Sequence, residues 1–415
     1  MRILYDIGIR TYWLIIWIVA PWNRKASLWL KGRRGWYGKI RKAFQATDRV
    51  IWFHCASLGE FEQGRPVIEA CRERFPGHRI FLTFFSPSGY EKRKNFEGAD
   101  HVMYLPLDTG RNARRLLEAV SPEMAVFIKY EFWYHYLKWL NRKGIPVFLA
   151  SGIFRPEQLF FRRYGRWYRK FLGYFTHIFV QQKASAELLG KVGFRNVTVA
   201  GDTRFDRVRM VADSVYENNA LEAFSKTSVT IIAGSTWDRD EQLLEKACRE
   251  LPVSVRWIIA PHELSGAHLE RLSGRFPGSI LFTGLGKQIP PGVRVIIVNT
   301  IGQLSYLYRF GTIAYIGGGF GKGIHNILEA AVYGMPVIFG PEYGRFDEAV
   351  ELVRMGGAFP VRDEGDLLST IRQHLEREEL LKTSSGIAQD FVYQRTGATE
   401  MIMNRLFKKP LSDVF

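Results

Sequence analysis

The sequence predicts an α/β protein of two tandem, doubly wound, Rossmann-like domains, each built on a parallel sheet. Three observations carry that class. Fourteen short apolar runs recur along the chain with helically spaced stretches between them, the alternation that parallel sheets with crossover helices produce. The runs hold β-branched and aromatic residues without polar alternation, as strands covered on both faces require. The length, 415 residues, suits two or three domains of roughly 100–200 residues.

In chain order, the first set of strands is Val50–Ala56, Ile80–Phe85, Val102–Leu107, Met124–Ile128, Val147–Ala150, His177–Gln182 and Val197–Gly201. The second is Val229–Ser235, Arg256–His262, Ile280–Thr283, Val295–Asn299, Thr312–Gly317, Pro336–Gly340 and Ala358–Val361. Helical spacing falls between them, at 62–75, 110–120, 239–250 and 326–334. The connection 207–228 is polar and lacks a strand, which sets a boundary between domains 1–210 and 211–415. The stretch 376–408 reads as one or two helices.

Hydrophobic residues at 47% and charged residues at 24% exclude a disordered or collagen-like chain. Cys55, Cys71 and Cys248 form no CxxC or Cys/His cluster, which suggests free thiols in a reducing compartment and no structural zinc. The net charge of +17 is one-sided. Residues 1–210 carry 37 basic and 17 acidic residues, and residues 211–415 carry 21 and 24. A basic half predicts a polyanionic partner: nucleic acid, an anionic membrane or a phosphorylated ligand. A plain solubility role is the alternative.

Tyr12–Trp22 (YWLIIWIVAPW) is apolar, with Arg10 before it and Arg24, Lys25, Lys31, Arg33 and Arg34 after it. Eleven residues are too few to span a bilayer, which takes about twenty. No small-residue cleavage site follows, so a secretory signal is not expected. Trp and Tyr beside basic residues suit a membrane-associated segment over 1–35 that lies in the interface. A buried N-terminal helix is the alternative.

Six constellations could carry chemistry. His54–Gln63 (HCASLGEFEQ) is a strand, a turn at Ser57 and Gly59, and a helix start at Glu60. Ligands of open α/β sheets bind at strand carboxyl ends, so Glu60 is a candidate general base whose charged form the helix dipole favours. It could equally be a plain first-turn acid. Tyr315–Glu329 (YIGGGFGKGIHNILE) packs five glycines into a turn before a helix from about His325, a pattern that accepts phosphate. It fails as GxGxxG at Lys322 and lacks GK[ST], so it is neither a dinucleotide fingerprint nor a Walker loop. Ser235 and Thr236 end a strand and suit either anion binding or capping. His262 ends the next strand. Arg204, in Asp202–Asp206, could meet an anion or form an interdomain salt bridge. Phe160–Phe171 (FFRRYGRWYRKF) interleaves aromatics with cations, which fits stacked nucleic acid, lipid headgroups or a structural helix. No nucleic-acid-binding motif accompanies it, so no nucleic-acid partner is expected.

The ordered set HxASxGE (His54–Glu60), EFW (Glu131–Trp133), GDxRFD (Gly201–Asp206), AGSTxxxxE (Ala233–Glu241), Pro261-His262, TIGQLxxLY (Thr300–Tyr308), GGG…HNxLEAA (Gly317–Ala331) and PVIFGP (Pro336–Pro341) resembles the 3-deoxy-D-manno-octulosonic acid (Kdo) transferases of lipid A assembly. The resemblance runs from about residue 3 to about 400. It implies a GT-B fold with the two domains facing a cleft, CMP-Kdo as donor, and no cofactor or metal. It also implies a phosphorylated lipid A precursor (lipid IVA) as acceptor, at the anionic cytoplasmic face of the inner membrane. By motif position, Glu60 is the implied base, and Ser57, Gly59, Glu131 and Arg204 are implied acceptor-side contacts. Ser235, Thr236, His262, Ile301, Gly302, Gly318, Gly319, Lys322, His325, Asn326 and Glu329 are implied donor contacts, with Glu329 on the ribose. Departures are Lys129 and Tyr130 before Glu131, the missing Arg between Pro261 and His262, Ala150–Phe154 in place of an Asn-Ala-Arg-Leu-Ser stretch, and Lys322 within the glycines. Another GT-B transferase with a different nucleotide sugar, or a non-enzymatic anionic-lipid or nucleic-acid binder, are the alternatives.

Overall fold

The structure is a computed structural model and describes residues 1–226 and 228–407. It contains two seven-stranded parallel sheets, one in each of two compact units. In the first, the strands are β1 (Val50–Cys55), β2 (Arg79–Phe84), β3 (His101–Tyr104), β4 (Met124–Ile128), β5 (Val147–Gly152), β6 (His177–Val180) and β7 (Val197–Val199). Their order is β3-β2-β1-β4-β5-β6-β7. In the second they are β8 (Thr230–Thr236), β9 (Arg256–Pro261), β10 (Ile280–Leu281), β11 (Val295–Ile297), β12 (Ile313–Ile316), β13 (Val337–Phe339) and β14 (Ala358–Pro360). That order is β10-β11-β9-β8-β12-β13-β14. All fourteen expected strands are present.

The continuous apolar runs have a packing reason. Along β1, Trp52 enters one core with Phe81 and Phe127, while Ile51, Phe53 and Cys55 enter the core on the other face. Both faces are covered, so no polar alternation is needed. In the first sheet the strand order reverses once, at β1/β4; in the second it turns at β8/β12, and β11 is inserted between β9 and β10. These topological switch points are where such sheets place ligands.

The domain boundary differs from the expectation of 1–210 and 211–415. The first unit is Met1–Asp206 together with the chain from Thr396 on, and the second is Arg207–Arg395. The strandless connection 207–228 is mostly helical, in Thr203–Asp213 and Asn219–Ser225. The expected helices of 376–408 are Glu378–Tyr393 and Ala398–Leu406, with residue 408 outside the described residues. Ala398–Leu406 returns to the first unit because its apolar stripe is needed there. Ile402, Met403 and Leu406 fill the core against Val67, Ile68 and Cys71 of the helix Leu58–Arg74. The Asp206 carboxylate accepts the Gly397 and Thr399 N–H groups at 2.5 and 2.6 Å, fixing the helix start.

At the N-terminus, α1 (Arg2–Val19), α2 (Arg24–Gly32) and α3 (Trp36–Ala43) precede β1. The helix α1 is longer than the eleven-residue apolar run, and no helix among the described residues is long and apolar enough to cross a membrane. One face of α1 docks on the first unit: Tyr5 donates to Asp108 at 2.5 Å, and Asp6 lies 2.5 Å from His135 Nε2. Its opposite face, with Ile3, Leu4, Ile7, Leu14, Ile15 and Ile18, is exposed. In Phe160–Phe171 the aromatics mostly pack inward. Phe160 and Phe171 are buried, and Trp167 packs against Tyr5 and Tyr134.

Candidate active site

At the β1/β4 switch point, β1 ends at Cys55 and Ser57 opens α4 (Leu58–Arg74) as its N-cap. Glu60 is three residues on, in the first helical turn, and the Ser57 hydroxyl donates to its carboxylate. Glu60 is half-buried and Gly59 is exposed. The S-x-x-E spacing thus forms a local pair that fixes the Glu60 rotamer at the strand end.

Glu131 follows β4 and is turned into the domain. Its Oε2 is 2.9 Å from His54 Nε2 and 2.6 Å from the Trp133 Nε1–H that it accepts. His54 is fully buried, and its Nδ1 is 2.9 Å from Thr83 Oγ1. Glu60 and Glu131 border the same buried thiol: burial pushes Cys55 up, and the two carboxylates add to it in that order. Lys129 after β4 and Ser151 at the end of β5 have φ of +69° and +55°, a region costly for residues with a Cβ. Such strain collects at functional strand ends. Ser151 is buried and bonded to Thr203 at 3.1 Å. Arg204 pairs with Asp202 at 2.7 Å, within its own unit.

The β8/β12 switch point is built differently. Ser235 has φ +55°, inside a register shift of β8 against β9. Thr236 is buried and donates to Glu241 at 3.2 Å. After β12 the glycine turn begins. A Cβ on Gly317 would stand 2.3 Å from the Ser235 carbonyl oxygen, so only glycine lets the turn lie against β8. Gly318 has φ +92° and donates its N–H to Asp240 at 2.9 Å. Asp240 also accepts the Tyr315 hydroxyl at 2.7 Å and the Trp237 N–H at 2.9 Å. Burial pushes the Asp240 carboxyl up, although all three bonds favour its charged form.

Beside this turn stands an aromatic stack. The Trp237 and His262 rings are 4.4 Å apart and nearly parallel, and His262 and His325 are 4.7 Å apart. Trp237 Nε1–H donates to His325 Nε2 at 3.1 Å. Burial, then the neighbouring His262, pushes His325 down to about 4, so its ring is neutral and able to accept that bond. Trp237, Gly318, Phe320 and His325 line a cavity of about 350 Å³, and Lys322 borders both it and a cavity of about 400 Å³ with Glu342 and Arg345.

The helix expected from His325 is only Leu328–Ala331. Gly323 at φ +115° and the Asn326 side chain, which accepts the Leu328 N–H at 3.2 Å, delay its start. Four residues carry little dipole, and several amides of the turn are bonded within the unit: Gly317 to Gly234, Gly318 to Asp240, Gly321 and Gly323 to Gly318, and His325 to Gly317. The exposed Lys322 is the cation the turn presents to an anion. Asn326 Nδ2 donates to Glu329 at 3.0 Å. Gly319 is buried beneath the turn, against Gly340. Ile301 and Gly302 lie exposed on the loop after β11, a strand separated from β12 by β9 and β8. Trp237 and Asp240 stand in the same strand-end constellation as Ser235 and Thr236, but their stacking and bracing roles could not be read from the chain, because Asp240 after a strand is also the signal of an ordinary helix start.

Residues 30–207 match the family model described as 3-deoxy-D-manno-octulosonic-acid transferase (kdotransferase). The Aquifex aeolicus 3-deoxy-D-manno-octulosonic acid transferase is 26% identical over 82% of this chain and 90% of its own length. The Bordetella pertussis enzyme of the same name is 24% identical over 98% of both. Among solved structures, the UDP-GlcNAc 2-epimerase of Neisseria meningitidis superposes with a TM-score of 0.61 at 15% identity, covering 87% of this chain and all of that one. MurG of Acinetobacter baumannii gives 0.54 at 12% over the same shares. At such identities these two speak for the fold alone, which is of the GT-B kind.

Proposed function

We propose that this glycosyltransferase, which belongs to the 3-deoxy-D-manno-octulosonic acid transferase family, moves Kdo from CMP-Kdo to a phosphorylated lipid A precursor, lipid IVA, by an inverting displacement that needs no metal. The carrying observation is the unlike equipment of the two switch points: a held carboxylate, Glu60, in the first unit and, in the second, a glycine turn braced by Asp240 that sets Lys322 at the rim of a cavity.

In this reading Glu60 takes the proton from the acceptor hydroxyl. The freed oxygen attacks the anomeric carbon, and the bond from that carbon to the CMP phosphate oxygen breaks, inverting the centre. His54 and Trp133 hold Glu131 beside the same strand end, where it orients the acceptor. The departing phosphate gains charge, and Lys322 of the glycine turn stabilises it. The Trp237–His262–His325 stack offers its faces to the cytosine ring. The basic first unit and the exposed face of α1 hold the enzyme on the cytoplasmic face of the inner membrane.

The test is transfer from CMP-Kdo to a tetra-acylated glucosamine disaccharide bisphosphate, read by mass spectrometry with and without EDTA. Kdo addition that survives EDTA and gives the inverted anomer by NMR is expected. Transfer from a UDP-sugar in its place would overturn the donor reading.

A further inference from the structure

A second cavity, of about 380 Å³, lies in the first unit where α1, α2 and α3 meet the loop after β3. Its walls include Trp13, Trp17, Trp29 and Trp36, with Arg33 and Arg34 between them. Arg33 is held in place: it donates to the carbonyls of Trp29, Phe85 and Leu105 at 3.0, 2.7 and 2.8 Å, and its guanidinium lies 3.7 Å above the Trp29 ring. Arg34 is exposed and pairs with no acid among the described residues. From residue 7 to residue 47 the chain has nine Lys or Arg and no Asp or Glu, so the helices that form the cavity are strongly basic; Asp108, next to the lining Leu107, is bonded to Tyr5.

The helix α1 determines what would enter. Tyr5 and Tyr12 mark its docked side, and Ile3, Leu4, Ile7, Leu14, Ile15 and Ile18 its exposed apolar side. At about 100° per residue, Trp13 and Trp17 fall on the flank between the two. The cavity therefore opens where an exposed apolar face meets two arginines. A free phosphate or a nucleic acid would leave that apolar face in water. An amphiphile with an anionic head satisfies both. None of the lining residues follows β1 or β4, where Glu60 and Glu131 stand.

We infer that this cavity binds the glycerophosphate headgroup of an anionic bilayer phospholipid, with its acyl chains along the exposed face of α1. The Arg34 guanidinium pairs with the phosphate, and the indole rings sit at headgroup depth. The site fixes how deeply α1 enters the membrane and which way it faces. It does not depend on the donor or acceptor proposed above.

The test is cosedimentation of the full chain with vesicles of phosphatidylcholine, alone or with phosphatidylglycerol. Arg34→Gln should weaken binding to the mixed vesicles by about tenfold or more and leave binding to phosphatidylcholine unchanged. Arg24→Gln, in the same basic segment but outside the cavity, should cost about fivefold, the share of one diffuse surface charge. Equal losses for the two variants would mean non-specific attraction and overturn the site. An Arg34→Gln effect confined to the acceptor KM in detergent, with phosphatidylglycerol binding intact, would give the cavity to the acceptor and also overturn it. Failure of Kdo transfer itself would leave the vesicle result standing.

Discussion

The two units share a scaffold, seven parallel strands with a switch point near the middle of the sheet, and finish it in opposite ways. At β1/β4 the polar side chains are turned inward and bonded to one another, His54 to Glu131 and Ser57 to Glu60. At β8/β12 a glycine turn is buried at residues 317–319 and exposed at Gly321 and Lys322, and one buried carboxylate, Asp240, holds it from behind. The first arrangement suits proton transfer, where one oxygen must be aimed. The second suits a phosphate, where a fixed loop must present a cation at the rim of a cavity. Charge follows the same division. Drawn at the observed boundaries, the first unit has 38 basic and 19 acidic residues and the second 20 and 22. A nucleotide held by a fixed turn needs few charges, whereas an anionic membrane attracts many.

The strongest way to break this comparison is at Glu60. Glu60→Gln keeps the shape and removes the base, so the rate of Kdo transfer should fall by about 10²–10⁴. Thermal unfolding should be unchanged, because Glu60 is only half-buried. Normal turnover by a folded Glu60→Gln protein would end its role as base.

Glu131 should separate stability from rate. Glu131→Ala removes the acceptor shared by His54 and Trp133 and leaves the Trp133 indole N–H to donate to His54 Nε2 alone. Losing one partner of a buried hydrogen-bonded cluster costs about 1–3 kcal/mol, to be read by denaturant unfolding. A loss within about 0.5 kcal/mol would show that the cluster is not a structural unit.

These two carboxylates also show what could be read from the chain. Every strand was legible, because burial on both faces writes itself as a local apolar run. Glu60 was legible as well, since its partner Ser57 is three residues away. The pairing of His54 with Glu131 spans 77 residues, and that of Asp240 with Gly318 spans 78. Neither leaves a local pattern. The return of Ala398–Leu406 to the first unit was illegible for the same reason. An amphipathic helix states that it will be covered and not by which sheet. Candidate residues could be picked out through ordered motifs, but their side-chain geometry could not: Ile301 is 90% exposed, and the Asn326 side chain accepts the Leu328 N–H.

Asp240 sharpens the comparison from the second unit. Asp240→Ala removes the acceptor of the Gly318 and Trp237 N–H groups and of the Tyr315 hydroxyl. The turn beside the cavity then loosens, although Lys322 and the ring stack remain. The KM for the donor should rise about tenfold, the worth of roughly one charged hydrogen bond, and the acceptor KM should stay put. Equal changes in both KM values would mean general damage.

The smallest effect is in pH. Burial and His262 push His325 down to about 4, below the ordinary histidine value of about 6.5. Between those two values the unfolded chain binds the proton and the folded one resists it, so the unfolded state holds more protons and stability rises with pH. The His325 contribution is therefore whole above about 6.5 and is lost as pH falls towards 4. Its physical content is the bond from Trp237 Nε1–H, which a protonated Nε2 cannot accept. His325→Gln keeps an acceptor and cannot titrate. Its melting temperature should decline less steeply than that of the native chain between pH 6.5 and 4. Parallel declines would mean that the stack is not what the proton disrupts, and the second switch point would then owe its pH response to some other buried group.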